Sequence, residues 1–323
     1  MAKQSAVAAK CETLAPQQGF QRFMINFKRD WQLHLMIFLP FFYIFLFDFV
    51  PLYGLQIAFK DYRSRSGIWG SEWVGLSNFF RFFRNYKWSQ YVLNTVRISL
   101  YSIAAGFPIP IILALLLHVS EFNVLKKLTQ NVSYIPHFIS TVVMVGIINQ
   151  VFNPFTGMWG SIQTLFGWNF RSDLRSNPDA FIHLYVWSGV WQGMGWGTIM
   201  YVAALSGVSP ELHEAAKIDG ASRLRRIFAV DLPAIIPTVC IMLILRFGSI
   251  ISVGYEKIYL MQNTLNISES EVISTYTYKT GLGDNEFSYS SAIGMMNSVI
   301  NTSMMILVNW ITNKMSDGEH GLF

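Results

Sequence analysis

Long apolar windows alternate with short polar segments along most of this chain of 323 residues. A helix needs about 20 mostly apolar residues to cross the hydrocarbon core of a bilayer, and six windows meet that requirement. The predicted spans are residues 32–54, 92–118, 128–152, 180–205, 233–255 and 291–313. The pattern therefore predicts an all-α polytopic membrane protein with six transmembrane helices.

The segments outside these windows are polar. We predict a leader at residues 1–31, a long loop at 206–232 between the fourth and fifth spans, and a short tail at 316–323. The first apolar window is too long for the core of a cleavable signal peptide, so it is interpreted as an anchor that stays in the membrane. An even number of spans puts both termini on one side. Lys and Arg are divided so evenly between the two sides that charge alone barely decides which side is the cytoplasm.

Composition agrees with a membrane setting. Charged residues make up 13% of the chain, about half the share of a soluble domain, and mean hydropathy is +0.35. The net charge of +5 comes from Lys and Arg at the ends of the apolar windows. This placement favours anionic lipid headgroups as partners and disfavours nucleic acid. Cys11 and Cys240 are too few for a disulfide framework.

The loop at 206–232 has the signals of a short helix. Ser209 is a good N-cap and Pro210 fits the first helical position. Gly220 can end the helix in a left-handed conformation. A second, basic helix is predicted next, and Pro233 opens the fifth span.

The same loop carries spaced residues that match a known motif: Glu214-Ala215-Ala216, Gly220, Val230 and Leu232-Pro233. They resemble the EAA signature of importer permeases of the ATP-binding cassette (ABC) superfamily, which usually has Ile at the position of Val230. Glu-Ala-Ala alone is ordinary helix-forming sequence. The agreement of spacing, residue types and loop position makes the resemblance specific.

A second motif lies in the first external loop, where residues 73–79 read Trp-Val-Gly-Leu-Ser-Asn-Phe. This run is typical of the carbohydrate-importing branch of the family and is similar to the maltose-type permeases. The chain resembles most a subgroup of permeases for complex or acidic, alginate-like oligosaccharides. The resemblance covers the whole chain.

The resemblance implies that the loop forms a cytoplasmic coupling helix, which docks into a cleft on an ATPase subunit. The implied coupling residues are Glu214, Ala215, Ala216, Asp219, Gly220, Arg223, Leu232 and Pro233. It also implies four kinds of partner in a bacterial cytoplasmic membrane, with both termini of this chain in the cytoplasm. These partners are a second homologous permease, two ATPase subunits, an extracytoplasmic solute-binding protein and a sugar or oligosaccharide.

No Gly-x-x-x-x-Gly-Lys-Ser/Thr run is present in the sequence, and such a run would be needed to cradle phosphates. ATP and Mg²⁺ are therefore expected on the partner ATPase. For this chain we expect a transport subunit with no catalytic residues, no metal site and no cofactor of its own.

Polar and aromatic side chains inside the spans are candidates for the substrate path, because ionisable groups at membrane depth are functional candidates by default. They are Arg97, Asn149, Trp187, Trp191, Gln192, Arg246, Asn297 and Asn301. Arg246 lies too centrally to reach headgroups easily, whereas Arg97 could do so. The tryptophans could instead belong to the interfacial belt, and the asparagines could bond between helices. If both arginines face water, an anionic sugar becomes the expected substrate.

The fourth span also carries a ladder of small residues, Gly189, Gly193 and Gly197. Such ladders permit close helix packing. Trp187 and Trp191 project roughly from the opposite face at helical spacing. We therefore expect the glycine face to pack on a neighbouring helix and the tryptophan face to line a cavity.

Three alternatives remain open at this point. An ion-coupled secondary transporter would need buried carboxylates, and Asp48 and Glu256 are the ones near membrane depth. An intramembrane enzyme would need clustered groups, but the histidines at 34, 118, 137 and 183 are scattered near span ends. An importer permease for a non-sugar solute is disfavoured by the resemblance alone.

Overall fold

The computed structural model describes residues 29–167 and 173–315. Residues 1–28 of the predicted leader and the predicted tail at 316–323 lie outside the described residues. The chain divides into two compact units, Met1–Gln56 and Ile57–Phe323. Each unit is described by itself.

The first unit contains most of helix α1, which runs from Trp31 to Phe59. Its apolar side chains point in all directions, and none of its most apolar stretch is buried within the chain. A helix that is apolar all round belongs in a membrane or inside a larger assembly. Pro40 lies within the helix, and residues Phe45–Phe49 form a wider π-helical turn.

The second unit is helical apart from one small antiparallel ribbon. Strand β1 (Lys60–Asp61) pairs with β2 (Glu72–Trp73), with Lys60 opposite Trp73. The helices, in chain order, are α2 Gly67–Gly70, α3 Ser77–Arg84, α4 Trp88–Val119, α5 Asn123–Phe138, α6 Thr141–Val151, α7 Met158–Leu165, α8 Pro178–Ser206, α9 Pro210–Ile218, α10 Arg223–Phe247, α11 Tyr255–Met261, α12 Ile267–Ser270, α13 Ile273–Tyr278 and α14 Phe287–Met315.

Among the described residues, four helices are long and apolar enough to cross a membrane, namely α1, α4, α10 and α14. The bent pair α5–α6 is a fifth candidate. Helix α8 has 29 residues, or about 44 Å at 1.5 Å per residue. It is long enough to span, but its glycine, tryptophan and glutamine residues lower its hydropathy below that of the other four.

The predicted third span, residues 128–152, is occupied by two helices that meet at 102°. Pro136 lies in the last turn of α5, and Ser140 caps α6 by accepting a hydrogen bond from the Val143 backbone N–H at 3.4 Å. Helix α8 packs directly on the end of α5. A Cβ on Gly195 would lie 2.1 Å from the Ser133 carbonyl oxygen, so the two backbones are in contact.

Three apolar clusters lie along α4 and hold the second unit together. Tyr91 belongs to a cluster with α3, α13 and α14, and Ile98 belongs to a cluster with α8 and α11. Leu115 belongs to a third cluster with the end of α8 and the start of α10. Helix α4 is therefore the common support on which α8 and α10 are positioned.

Candidate substrate path and coupling loop

The coupling loop folds through local signals. The Ser209 side chain accepts a hydrogen bond from the Glu211 backbone N–H at 3.3 Å, which caps α9. Gly220 has φ +74°. Its N–H donates to the Lys217 carbonyl at 3.0 Å, and the Ala221 N–H donates to the Ala216 carbonyl at 2.9 Å. This pair of bonds is a Schellman motif, which ends a helix at a left-handed glycine.

Most of α9 faces away from the rest of the chain. Glu214 and Ala215 are exposed, and Ala216 is half-buried. Ile218 is 86% exposed and Leu212 is 55% exposed. These side chains form a small exposed apolar surface, and Asp219 and Gly220 are exposed just past the helix end.

The remaining predicted coupling residues lie on α10. Ser222 caps this helix, and Arg223 in its first turn forms an exposed ion pair with Glu121 at 2.8 Å. Leu232 and Pro233 follow a π-helical turn, Ile227–Asp231, in the interior of α10. The helix thus begins at Arg223, whereas the predicted fifth span began at Pro233.

A polar cavity of about 350 Å³ lies between α4, α8, α10 and α11. Its lining includes the two cations Arg246 and Lys257 and the polar side chains of Gln192, Tyr185, Ser102 and Tyr201. A smaller cavity of about 230 Å³ adjoins it and shares Arg246 and Tyr185. No aspartate or glutamate of the described chain lines either cavity, so the two cations make the site electropositive.

The Lys257 ammonium is held at one wall of the larger cavity. It donates a hydrogen bond to the Tyr185 carbonyl at 3.1 Å and lies 4.9 Å from the centre of the Tyr185 ring. Burial lowers the pKa of Lys257 to about 8. Sequence reasoning missed this residue because it lies on α11, just past the predicted fifth span. A single lysine just after a span is ordinarily interpreted as a cation at the membrane interface.

The glycine face of α8 lines a cavity and also packs on a neighbouring helix, whereas only the packing was expected. Gly189, Gly193 and Gly197 line the polar cavity, and a Cβ on Gly193 would meet nothing within 4 Å. Gly197 packs on α4, since a Cβ there would lie 3.1 Å from Pro110. A closer backbone contact is made at Gly195, against α5.

The two predicted tryptophans lie on a different surface. Trp187 and Trp191 line an apolar cleft of about 650 Å³ between α6 and α8. The Trp187 indole N–H donates to the Tyr101 hydroxyl at 2.9 Å. Gln192 lines the polar cavity, and its amide N–H donates to the Ile139 carbonyl at 2.8 Å. Of the eight predicted path residues, Arg246 and Gln192 thus meet in the polar cavity.

The other four predicted path residues lie elsewhere. Arg97 forms an ion pair with Glu269 at 2.7 Å. The Asn149 carbonyl accepts a hydrogen bond from Arg175 at 3.4 Å. Asn301 accepts from the Ile251 N–H at 2.9 Å. The buried Asn297 Oδ1 has no hydrogen-bond partner among the described residues.

The described chain is helical, with four helices long and apolar enough to cross a membrane, and comparison with known proteins identifies its class. Residues 106–317 match the family described as binding-protein-dependent transport system inner membrane component. The chain belongs to this family. It is therefore a membrane permease subunit of an ABC importer, in which a separate subunit hydrolyses ATP.

Relatives in Bacillus subtilis (strain 168) cover nearly the full length. The chain is 37% identical to the polygalacturonan/rhamnogalacturonan transport system permease protein YteP over 303 residues, with 94% of each chain covered. It is 38% identical to Protein LplB over 301 residues, with 93% of each covered.

Two solved structures are similar at 31% identity. One is a bacterial ABC transporter involved in the import of the acidic polysaccharide alginate (TM-score 0.83, with 91% of this chain and 99% of that chain covered). The other is a bacterial alginate ABC transporter in complex with alginate pentasaccharide-bound periplasmic protein (TM-score 0.84, with 93% and 100% covered).

Proposed function

We propose that this chain forms, with a second homologous permease, the translocation path for an acidic oligosaccharide delivered by an extracytoplasmic binding protein. The observation that carries the proposal is the cavity in which Arg246 and Lys257 meet without a lining carboxylate. A uronate residue offers a carboxylate for these cations and hydroxyls for Gln192 and Tyr185. Charge-assisted bonds of this kind are the strong polar contacts in a buried site.

The relatives support the same substrate class. YteP is described as a permease for polygalacturonan and rhamnogalacturonan, and the two similar solved transporters act on alginate. All of these names describe acidic polysaccharides or their fragments. The cavity accounts for such a preference in physical terms, because an anion in a low-dielectric site needs fixed cations to replace its water.

The proposal includes six membrane crossings. The four long apolar helices and the bent pair α5–α6 supply five, and α8 supplies the sixth. Helix α8 can be less apolar than the others because one face lines the polar cavity, where lipid does not reach. Both termini and the coupling loop then lie on the cytoplasmic side.

Helix α9 is proposed as the coupling helix that docks on one of two ATPase subunits. Its exposed Leu212, Ala215 and Ile218 recur at three-residue spacing and form a small apolar face. Glu214 is exposed beside that face and has no ion pair within the described chain. It is therefore available to an Arg or Lys of the partner.

The substrate proposal is tested with the complex in proteoliposomes. ATPase activity is measured with binding protein loaded with either a uronate or a neutral oligosaccharide. We expect stimulation by the uronate ligand. Arg246→Gln should weaken that response roughly tenfold or more, since a hydrogen bond to a charged group contributes about 1.5–3 kcal/mol.

The matched control is Arg97→Gln, which removes an arginine that pairs with Glu269 outside the cavity. It should leave the uronate response nearly unchanged. An acidic substrate would be refuted if only neutral sugars stimulate ATPase activity and Arg246→Gln leaves that stimulation unchanged. An assembled complex that no sugar stimulates would instead indicate a non-sugar solute.

The coupling role is tested separately with Glu214→Ala. This change should abolish most of the substrate stimulation while the complex still assembles. Glu211→Ala, in the first turn of the same helix, is the control and should remain coupled. If both variants behave alike, Glu214 has no specific role at the ATPase contact.

A further inference from the structure

Two histidines and an aspartate meet where the coupling helix joins the bundle. His118 lies in the last turn of α4, His213 lies on α9, and Asp231 lies in the π-helical turn of α10. The Asp231 Oδ1 atom is 3.2 Å from Nε2 of His213 and 3.6 Å from Nε2 of His118. The three ligand atoms lie within 4.8 Å of one another.

The Asp231 carboxylate is buried beside the two histidines but accepts no hydrogen bond from the described residues. Its side chain is 0% exposed, and neither oxygen accepts a hydrogen bond from the described residues. His213 Nε2 is also buried without a hydrogen bond of good geometry. Buried carboxylates are ordinarily hydrogen-bonded, paired or bound to metal, because an unsatisfied buried charge is costly. Asp231 and His213 therefore keep the capacity to bind one shared ligand together with His118.

We propose that His118, His213 and Asp231 bind a divalent transition-metal ion, and that this ion is Zn²⁺. Zinc accepts imidazole nitrogen and carboxylate oxygen at about 2.0–2.2 Å. Two such ligands at a tetrahedral angle lie roughly 3.3 Å apart, which matches both distances to Asp231. The two imidazole nitrogens lie within 4.8 Å of each other, so one ring shifts by up to about 1.5 Å to reach the same spacing.

The ligand set discriminates against the commoner ions. Mg²⁺ and Ca²⁺ prefer all-oxygen sites, and two imidazoles make this site unsuitable for them. The absence of a cysteine among the three disfavours Cu⁺. His118 and His213 are 24% and 18% exposed, which leaves room on one side for water as a fourth ligand.

A metal ion bound here would link three helices. The three ligands come from two long helices and the coupling helix, which otherwise exposes most of its surface. A metal bond at this point would fix α9 to α4 and α10, so that movement imposed on α9 reaches both helices together. The site would act as a structural joint and would do no chemistry.

The test is metal content of the purified complex, prepared with a non-histidine affinity tag. Zn²⁺ is measured by mass spectrometry, and Co²⁺ is then titrated into the stripped complex. We expect about one Zn²⁺ per copy of this chain and visible absorption of four-coordinate Co²⁺. Asp231→Asn and His213→Gln should each remove that Zn²⁺ and weaken Co²⁺ binding by about tenfold or more.

The control is His137→Gln, because His137 stacks on Trp196 away from the cluster. The His137→Gln complex should keep the full metal content. Any metal bound to partner subunits is the same in all complexes, so it does not affect the difference between variants. A wild-type complex that takes up neither Zn²⁺ nor Co²⁺ would overturn the proposal, even if a variant fails to assemble. Equal metal content in wild type and Asp231→Asn would overturn it as well and would leave a direct contact between the histidines and Asp231 as the explanation.

Discussion

Single residues set the electrostatics of the polar cavity. Arg246 is permanently charged, whereas the charge on Lys257 depends on conditions because burial lowers its pKa to about 8. The two cations line a cavity of about 350 Å³ together with Tyr185 and Gln192. A cavity that combines a fixed and a titratable cation should bind anions with a pH dependence in the mildly alkaline range.

Uptake of a uronate oligosaccharide is therefore expected to fall as pH rises through about 8. The protonated amine is the form below the pKa and the form that attracts an anion, so binding weakens when the proton is lost. Uptake by proteoliposomes measures this effect, and Lys257→Arg should flatten the profile since Arg stays charged. The same fall in the Lys257→Arg variant would place the titrating group elsewhere.

Another residue-scale prediction concerns Gly195. Its substitution by Ala would place a Cβ 2.1 Å from the Ser133 carbonyl oxygen, so α5 and α8 must separate. Overpacking of this kind costs about 1–3 kcal/mol, and Gly195→Ala should lower the thermal unfolding midpoint of the complex. Gly193→Ala is the matched control, because nothing lies within 4 Å of its Cβ position. Equal midpoints for the two variants would contradict the close contact.

At the scale of elements, the coupling loop depends on how α9 ends. The Schellman bonds at Gly220 turn the chain sharply, so that the Ser222 cap can start α10 at once. Leu232-Pro233 then lies inside α10, directly after a π-helical turn in which the Leu232 N–H donates to the Ile227 carbonyl. The motif that identifies the family is therefore a helix end, a turn and a helix start in close succession.

Gly220→Ala should weaken substrate-stimulated ATPase activity several-fold. A non-glycine residue at φ +74° costs roughly 1–2 kcal/mol, and relieving that strain would shift α9. Gly220→Asn should retain more activity because Asn tolerates this conformation. Gly207→Ala, at φ −84° in the same loop, should be nearly neutral. Full activity in Gly220→Ala would show that this helix end need not be rigid.

At the scale of the whole molecule, membrane topology depends on α8. If α8 crosses the membrane, four crossings separate the amino terminus from the coupling loop, and both lie on the same side. If α8 does not cross, the chain makes five crossings, and a cytoplasmic amino terminus places the coupling loop opposite the ATPases. The cavity on its glycine face favours the crossing, because a polar lining at membrane depth is tolerated where protein or water covers it.

Topology reporters test this arrangement directly. A fluorescent protein fused before the amino terminus or inserted in loop 206–232 should fluoresce, which requires the cytoplasm. Alkaline phosphatase at the same positions should be inactive, but it should be active when inserted between α13 and α14. Active phosphatase in loop 206–232 together with a fluorescent amino-terminal fusion would exclude α8 as a span and with it the six-crossing proposal.

Local sequence determined much of this protein. The apolar windows predicted where the long helices form, because so many apolar side chains are far more stable in lipid than in water. The helix start and end in the coupling loop were equally predictable. Ser209 and Gly220 act through hydrogen bonds within a few residues, and Pro210 fits the first helical position. The family followed from that loop, and comparison with known proteins confirmed it.

Tertiary structure decided what lies together. Lys257 joins Arg246 only because α11 folds back against α8, and His118 meets His213 and Asp231 only because three helices converge. The glycine face of α8 turned out to line a cavity, since helical spacing gives a face but not its neighbour. Periodicity along one helix reports contacts within a few turns. Contacts between distant segments depend on how all the helices pack, and no local pattern encodes them.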